Sequence, residues 1–294
     1  MYGLSHSSYQ KLEINLKKIY LRLAGGLGNQ IFQYTAALLI KKENDLIYFH
    51  IKALSNYRAG RSLELVNFFE LPQTTYFHVS PFASFIFKFR LAKITSFFGC
   101  NDLNFSSILS NKITHHTKGP FYLDGYFQDA WSYEHIQPLL VQLSRDLKKN
   151  KFNNEPYSQY DCIMHIRGSD FLANLDNSLN SVDFYIDAIK LLKSSHAVKN
   201  VYVVTDDLQY SKSMLDIIKS KFKDINFYLD HERKSLFDDF MILLHAKSRV
   251  IGTSTFAWWA SALDDKKSIT MSPKSWKLNF NRKLVLPWEE LVNS

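Results

Sequence analysis

The sequence predicts an α/β protein built on doubly wound parallel sheets. Three observations predict it. Residues 19–51 run apolar segment, glycine-rich turn, helix-period segment, apolar segment. From Asp161 onward, short apolar runs alternate with amphipathic ones. Runs such as Asn200–Thr205 are continuously apolar, as strands covered on both faces must be.

Ile19 to Ala24 reads as the first strand and Gly25 to Gln30 as a glycine-rich turn. Ile31 to Lys42 reads as a helix whose closing Lys41-Lys42 complements the negative end of its dipole. Ile47 to Ile51 is a second strand. Residues 60–120 are rich in Phe and weakly periodic. Phe121 to Phe127 looks extended. Ser132 to Lys149 is helical, with Ile136, Leu139, Leu140, Leu143 and Leu147 near one face. The polar stretch Lys148 to Gln159 marks a boundary, giving an N-terminal α/β lobe over 1–155 and a C-terminal Rossmann-like lobe over 156–294.

In the second half, strands are expected at Asp161–Ile166, Asn200–Thr205, Ile225–Leu229, Arg249–Gly252 and Ser268–Met271. Helices are expected at Asp183–Lys193, Tyr210–Lys221, Ser235–Lys247 and Ser254–Leu263. Ser235 followed by Asp238 resembles a capping box. No internal repeat or low-complexity tract is present.

Composition narrows the function classes. The 294 residues are 46% hydrophobic and 22% charged, ordinary for a globular chain. The 23 Phe and 16 Tyr mostly fill cores, although rings also pack well on sugar faces. The net charge of +8 is scattered in pairs such as Lys17-Lys18 and joins no recognised nucleic-acid module. A nucleotide-sugar diphosphate, or peripheral contact with an anionic inner membrane, fits that charge better than nucleic acid. Two cysteines, Cys100 and Cys162, make no disulfide framework or zinc site and suit a cytoplasmic protein. Met1 to Lys18 has no apolar core and does not read as a signal peptide. No 18-residue apolar run exists; Pro81 to Cys100 is interrupted by Lys88, Arg90 and Lys93. It reads as a basic-edged core element or an interfacial segment.

Four strings carry candidate chemistry. Gly25-Gly26-Leu27-Gly28-Asn29-Gln30 joins a strand to a helix, where Gly26 and Gly28 let backbone approach a ligand and the helix offers free N–H groups. A tight β-α turn is its plainer alternative. It is not a dinucleotide fingerprint, because Ile31 stands where the third glycine belongs. His165-Ile166-Arg167-Gly168-Ser169-Asp170 follows a strand, where parallel sheets bind ligands. Arg167 suits a diphosphate, and Asp170 could orient it or act on a hydroxyl. A surface ion pair is the plainer alternative. Thr205-Asp206-Asp207 could bind metal, accept from a guanine edge, or cap a helix. In Gly252 to Ala260, Ser254 and Thr255 could cradle phosphate or simply cap, and Trp258-Trp259 read as core. The chain contains no Asp-x-Asp.

With Leu123-Asp124-Gly125-Tyr126-Phe127-Gln128, these strings resemble, in order, the bacterial α-1,2-fucosyltransferases of glycosyltransferase family 11. Residues 25–34 look like its N-terminal signature and residues 124–128 like its mid-chain string. His165 to Phe171 resembles its His-x-Arg-Arg-Gly-Asp-Tyr, Val203 to Asp207 its Phe-Ser-Asp-Asp, and Thr253 to Trp259 its Asn-Ser-Thr-Phe-Ser-Trp-Trp. Gly168 stands in place of a second Arg and Ser169 in place of Gly; Thr253 replaces Asn and Ala257 replaces Ser.

The resemblance implies a GT-B fold, two Rossmann-like lobes with a cleft between them. It implies inverting, metal-free transfer of L-fucose from GDP-β-L-fucose to the 2-hydroxyl of a terminal β-galactose, on a free or lipid-linked glycan. No cofactor other than the donor substrate is expected. Arg167 would then hold the β-phosphate. His165, Asp206 and Asp207 would contact the nucleotide or order its loop. Ser254, Thr255 and Phe256 would line the phosphate or fucose pocket, and Asn29 and Gln30 would shape the cleft from the other lobe. Asp170 and His165 are the candidate bases. The alternatives are another GDP-sugar transferase of this fold and a non-catalytic glycan- or nucleotide-binding protein.

Overall fold

A computed structural model describes residues 17–55, 61–77, 79–89, 101–102, 120–128, 132–148, 152–168, 180–232, 234–277, 280–281 and 284–293. Two all-parallel sheets form two lobes. The first comprises β1 (Lys18–Arg22), β2 (Leu46–His50), β3 (Thr75–Tyr76), β4 (Asn101–Asp102) and β5 (Phe121–Leu123), in the order β3-β2-β1-β5-β4. The second comprises β6 (Cys162–Ile166), β7 (Asn200–Thr205), β8 (Asn226–Leu229), β9 (Arg249–Ile251), β10 (Thr270–Pro273) and β13 (Glu289–Val292), in the order β13-β10-β9-β6-β7-β8. A short antiparallel pair, β11 (Ser275–Lys277) and β12 (Phe280–Asn281), lies apart.

Each sheet reverses direction once. From β1 the chain steps outward to β2 and β3, then returns through β4 and β5 on the other side of β1. From β6 it steps out to β7 and β8, then returns to β9 and β10 beyond β6. The strands diverge at β1/β5 and at β6/β9, and the carboxyl ends at such points leave an open crevice.

The lobes meet helix on helix. Helix Leu27–Ile40 packs on helix Thr255–Ala262, and one apolar core runs through both lobes. Phe32 stacks on Trp258 with centroids 5.3 Å apart and meets Trp259 edge-on at 4.9 Å. All three rings are fully buried. Each such side chain is worth about 1.5–3 kcal/mol of burial. Consecutive Trp on a helix point to different sides, yet both find the core because this helix is apolar nearly all round. The fold is the GT-B arrangement: two parallel α/β lobes with their crevices facing across a seam.

Local differences from the sequence expectations have physical causes. The first helix begins at Leu27 rather than Ile31 because Gly26 is an extended N-cap and Gln30 N–H already donates to Gly26 C=O at 3.0 Å. Thus Gly28, Asn29 and Gln30 lie in the first helical turn. The strand expected to reach Phe127 stops at Leu123, and Phe127 turns the chain with φ 58°. At helix Leu236–Leu244, Ser235 Oγ accepts from Asp238 N–H at 3.0 Å and donates to the Asp238 carboxylate at 2.7 Å. The carboxylate therefore takes the hydroxyl rather than the backbone N–H of a true capping box. Within Pro81 to Cys100, a helix spans Pro81–Lys88 and buries Ala83, Ile86 and Phe87.

Candidate active site

The strings of the C-terminal lobe become neighbours through strand pairing. His165 lies opposite Val204 of β7 and Ile251 of β9, and Ile166 lies opposite Thr205. The segments after β9, β6 and β7 therefore stand side by side at one sheet edge. This brings Ser254, Thr255 and Phe256 beside His165 and Arg167, and both beside Asp206 and Asp207. Ser169 and Asp170 lie outside the described residues.

Arg167 Nε is 3.6 Å from Asp206 Oδ2, within ion-pair range and beyond hydrogen-bond range. Both side chains are about one-fifth exposed. Asp206 Oδ1 also accepts from Gly168 N–H at 2.7 Å. One carboxylate thus faces the guanidinium and fixes the backbone just after it. Gly168 must be small: a Cβ there would sit 2.6 Å from Asp207 Cβ and 3.1 Å from the Tyr210 ring. Asp207 caps helix Leu208–Lys221, accepting from Tyr210 N–H at 3.0 Å. Thr205 Oγ1 accepts from Asp207 N–H at 2.9 Å and from Ser211 Oγ at 2.6 Å. Of the two adjacent aspartates, Asp206 meets the Arg167 loop and Asp207 builds the helix.

His165 is buried, and its Nδ1 has no hydrogen-bond partner among the described residues. Burial lowers its pKa to about 4, with Asp206 opposing and Arg167 reinforcing the shift. The imidazole is neutral near pH 7. It lies 6.1 Å from the Phe256 ring, while Tyr185 OH donates to the His165 carbonyl at 3.3 Å.

Ser254 is the N-cap of helix Thr255–Ala262 and accepts from Ala257 N–H at 3.3 Å. Thr253 N–H donates to Asn180 Oδ1, and Thr253 Oγ1 is buried without a partner among the described residues. Phe256 is nearly buried and packs on Phe240 at 5.4 Å. One side of this helix N-terminus is closed by the opposite lobe. A Cβ on Gly28 would lie 2.4 Å from the Thr255 carbonyl carbon and 2.5 Å from Phe256 N. Only glycine permits that approach of two backbones.

Asn29 joins three strings. Its Oδ1 accepts from Gln128 Nε2 at 2.7 Å and from Thr255 Oγ1 at 3.3 Å. Gln30 behaves otherwise. It is fully buried; its amide donates to the Gly25 and Ser62 carbonyls and accepts from Glu64 N–H at 3.0 Å. It pins the 62–65 segment and does not face the crevice. Gly26 lies beside Arg61, whose guanidinium is 3.8 Å from a Cβ built on that glycine. Sequence reasoning missed Arg61 and Asn180. Neither sits in a string; only the fold brings Arg61 to the glycine turn and Asn180 to Thr253. Among the described residues, no three His, Cys, Asp or Glu side chains are grouped to hold a metal ion, and no helix is long and apolar enough to cross a membrane.

An Arg beside a helix N-terminus, next to a second lobe across a seam, has the charge and donors to hold an anionic leaving group. The chain is 25% identical over 270 residues to an alpha-1,2-colitosyltransferase of Escherichia coli, covering 88% of this chain and 92% of that protein. It is 24% identical over 311 residues to the O-antigen biosynthesis glycosyltransferase WbnK of Escherichia coli, covering 94% and 100%. Solved structures that align include POFUT1 in complex with GDP-fucose, at 13% identity and TM-score 0.46 over 87% of this chain and 96% of that one. Another is the Escherichia coli heptosyltransferase WaaC with ADP, at 10% identity and TM-score 0.44 over 94% and 93%. The family model described as glycosyl transferase family 11 matches residues 103–283. More than half of the sequence lies within that match, and the chain belongs to glycosyl transferase family 11.

Proposed function

We propose that this glycosyltransferase moves L-fucose from GDP-β-L-fucose to the 2-hydroxyl of a terminal β-galactose, with inversion and without a metal ion. The observation that carries the reading is the pairing of Arg167 with Asp206 at the β6 carboxyl end, beside the Ser254-capped helix and opposite the Gly28–Asn29 turn. In this reading Arg167 binds the β-phosphate, and His165, neutral and buried, makes a hydrogen bond to the nucleotide. Asp206 sets the loop, Asp207 its supporting helix. Ser254, Thr255 and Phe256 line the phosphate or fucose pocket. The galactose O2 attacks fucose C1, the bond from C1 to the β-phosphate oxygen breaks, and GDP departs with the bonding pair. Arg167 stabilises the negative charge that develops on it. The hydroxyl proton leaves to Asp170 or to water. His165 is poorly suited to take it, being nearly buried and a weak base.

The relative named for O-antigen biosynthesis supports a surface polysaccharide as the acceptor. Peripheral contact with an anionic inner membrane, from the cytoplasmic side, belongs to the same reading. Helix Pro81–Lys88 supports it: Phe82 and Phe85 are more than half exposed, as is Phe89 just beyond, with Lys88 alongside. Aromatic rings edged by cations suit a lipid interface.

A second reading has its own support. The relative named as an alpha-1,2-colitosyltransferase favours a colitosyl donor in the same site. The Gly168 and Ser169 departures favour a non-catalytic binder. GDP release measured with GDP-fucose and with a GDP-activated colitose, in EDTA and with a panel of β-galactosides, separates the three. Acceptor-dependent release with GDP-fucose supports the first. Release with the colitosyl donor alone transfers the assignment to that sugar. GDP binding without release from any donor leaves a binding protein.

A further inference from the structure

The N-terminal lobe has a crevice of its own. It opens where β1 parts from β5, at the same kind of topological reversal that holds the donor residues in the other lobe. Three polar side chains stand at its carboxyl edge. Arg22 ends β1, His50 ends β2 directly opposite it in register, and Asp124 follows β5. Arg22 Nη1 donates to Asp124 Oδ1 at 3.0 Å, with side chains 24% and 15% exposed. Among the described residues, Arg22 is the partner of Asp124, so the second carboxylate oxygen keeps its accepting capacity. The His50 ring lies 5.0 Å from Phe87 of helix Pro81–Lys88, and its Nδ1 has no hydrogen-bond partner among the described residues.

This cluster adjoins the seam. The loop that begins at Asp124 ends with Gln128 donating to Asn29, the residue that also bonds Thr255 of the other lobe. The turn after Arg22 leads directly into Gly28, which touches the Thr255–Phe256 backbone. The carboxyl edges of both sheets therefore converge on one line of contact.

We propose that Arg22, His50 and Asp124 form the subsite that holds the acceptor sugar by its hydroxyls. The chemistry selects a neutral polyol. Arg22 and Asp124 cancel each other's charge, so an anion gains little there, in contrast to Arg167. A planar carboxylate accepts hydroxyl hydrogens, a guanidinium donates to hydroxyl oxygens, and an imidazole can do either. Phe87 supplies an apolar wall to the ring set. Burial, reinforced by the Arg22 and Lys52 charges and opposed by Asp124, lowers the His50 pKa and favours the neutral imidazole.

The identification of this ligand as the acceptor rests on the transferase reading. The competing role is purely structural, with Arg22–Asp124 tying β1 to the loop after β5. Two measurements on the full chain separate these. In Asp124→Asn, the subsite role requires the KM for methyl β-D-galactopyranoside to rise at least tenfold while GDP affinity stays within twofold of the parent. In the parent with GDP bound, titration with the same sugar must shift the His50 imidazole NMR signals saturably, identified by their loss in His50→Gln. An unchanged acceptor KM in Asp124→Asn, or unmoved His50 signals at saturating sugar, overturns the subsite. Failure of the transferase reading appears separately, as a parent enzyme that releases no GDP with any galactoside; the His50 titration then decides the subsite alone.

Discussion

Thr255 Oγ1 donates to Asn29 Oδ1 at 3.3 Å, joining residues 226 apart in sequence across the two lobes. The same Asn29 oxygen accepts from Gln128 at 2.7 Å. The bond lies on the line of contact between the lobes, and catalysis by orientation is sensitive to shifts of about 1 Å, which can cost on the order of 10²-fold. Asn29→Ala is expected to lower transfer by roughly 10- to 100-fold with a much smaller effect on GDP binding. Adding Thr255→Val to that variant should add little, since both remove one interaction. A double-mutant cycle on kcat/KM checks this; additive losses would separate the two residues.

Gly168→Arg restores the residue type usual in the family and is expected to weaken donor binding here. The new Cβ would collide with Asp207, which cannot withdraw without surrendering its cap on helix Leu208–Lys221, worth about 1 kcal/mol. Calorimetric GDP titration should show several-fold weaker binding and a lower melting temperature. Tighter GDP binding would contradict the close packing at this loop.

Two aspects of the chain were legible from sequence alone to different depths. Strand and helix order followed from period and punctuation, so β7 was expected at the residues where it lies. Trp258-Trp259 read correctly as core because an apolar helix leaves no polar face. Gln30 did not, since its role is set by the backbone of residues 62–65, which no local pattern connects to it. Gly28 looked like a ligand cradle and is first of all the contact point of two helices. Asp206 and Asp207, equivalent in sequence, divide their roles only once the pairing of β6 with β7, which ends at Thr205, sets Asp206 beside Arg167. Arg22 and His50 belong to no string; strand register alone brings them together.

His165 should make stability fall on acidification. Its folded pKa, about 4, lies below the unfolded value near 6.5, so the unfolded chain binds the proton more readily. The contribution is fully present above about pH 6.5 and declines as pH falls toward the folded value. Denaturant melts of the parent and of His165→Gln should differ in slope over that interval. Parallel profiles would contradict the burial of a neutral imidazole.

Arg249 and Asp264 are the charged pair of the C-terminal core, at 2.9 Å and nearly or fully buried. The guanidinium also donates to the Leu243 and Leu244 carbonyls at 3.1 Å. Burial alone would raise the Asp264 pKa, but the Arg249 charge and hydrogen bond hold it below the usual carboxylate value. Its contribution is therefore present above the unfolded pKa and lost as pH falls through the lower folded one. Arg249→Met leaves the Asp264 carboxylate without its counter-charge, holding the Lys266 and Ser268 N–H groups at 2.9 Å, and should cost about 3–5 kcal/mol by urea titration. Arg249→Met with Asp264→Leu should recover part of that loss.

Phe82→Ser with Phe85→Ser should release the protein from membranes without touching the donor site. Co-sedimentation with phosphatidylglycerol vesicles is expected for the parent, with less on phosphatidylcholine and at high salt. The double variant should stay in the supernatant while keeping its GDP affinity. Equal sedimentation of parent and variant would place the lipid contact elsewhere.

The most direct measurement is the NMR structure of the disaccharide made from GDP-β-L-fucose and methyl β-D-galactopyranoside in EDTA, with Arg167→Ala run beside the parent. The expected product carries an α-fucosyl group on galactose O2, and Arg167→Ala forms little or none of it. A β linkage, attachment at another hydroxyl, or undiminished product from Arg167→Ala would contradict transfer by in-line displacement from an Arg167-held diphosphate.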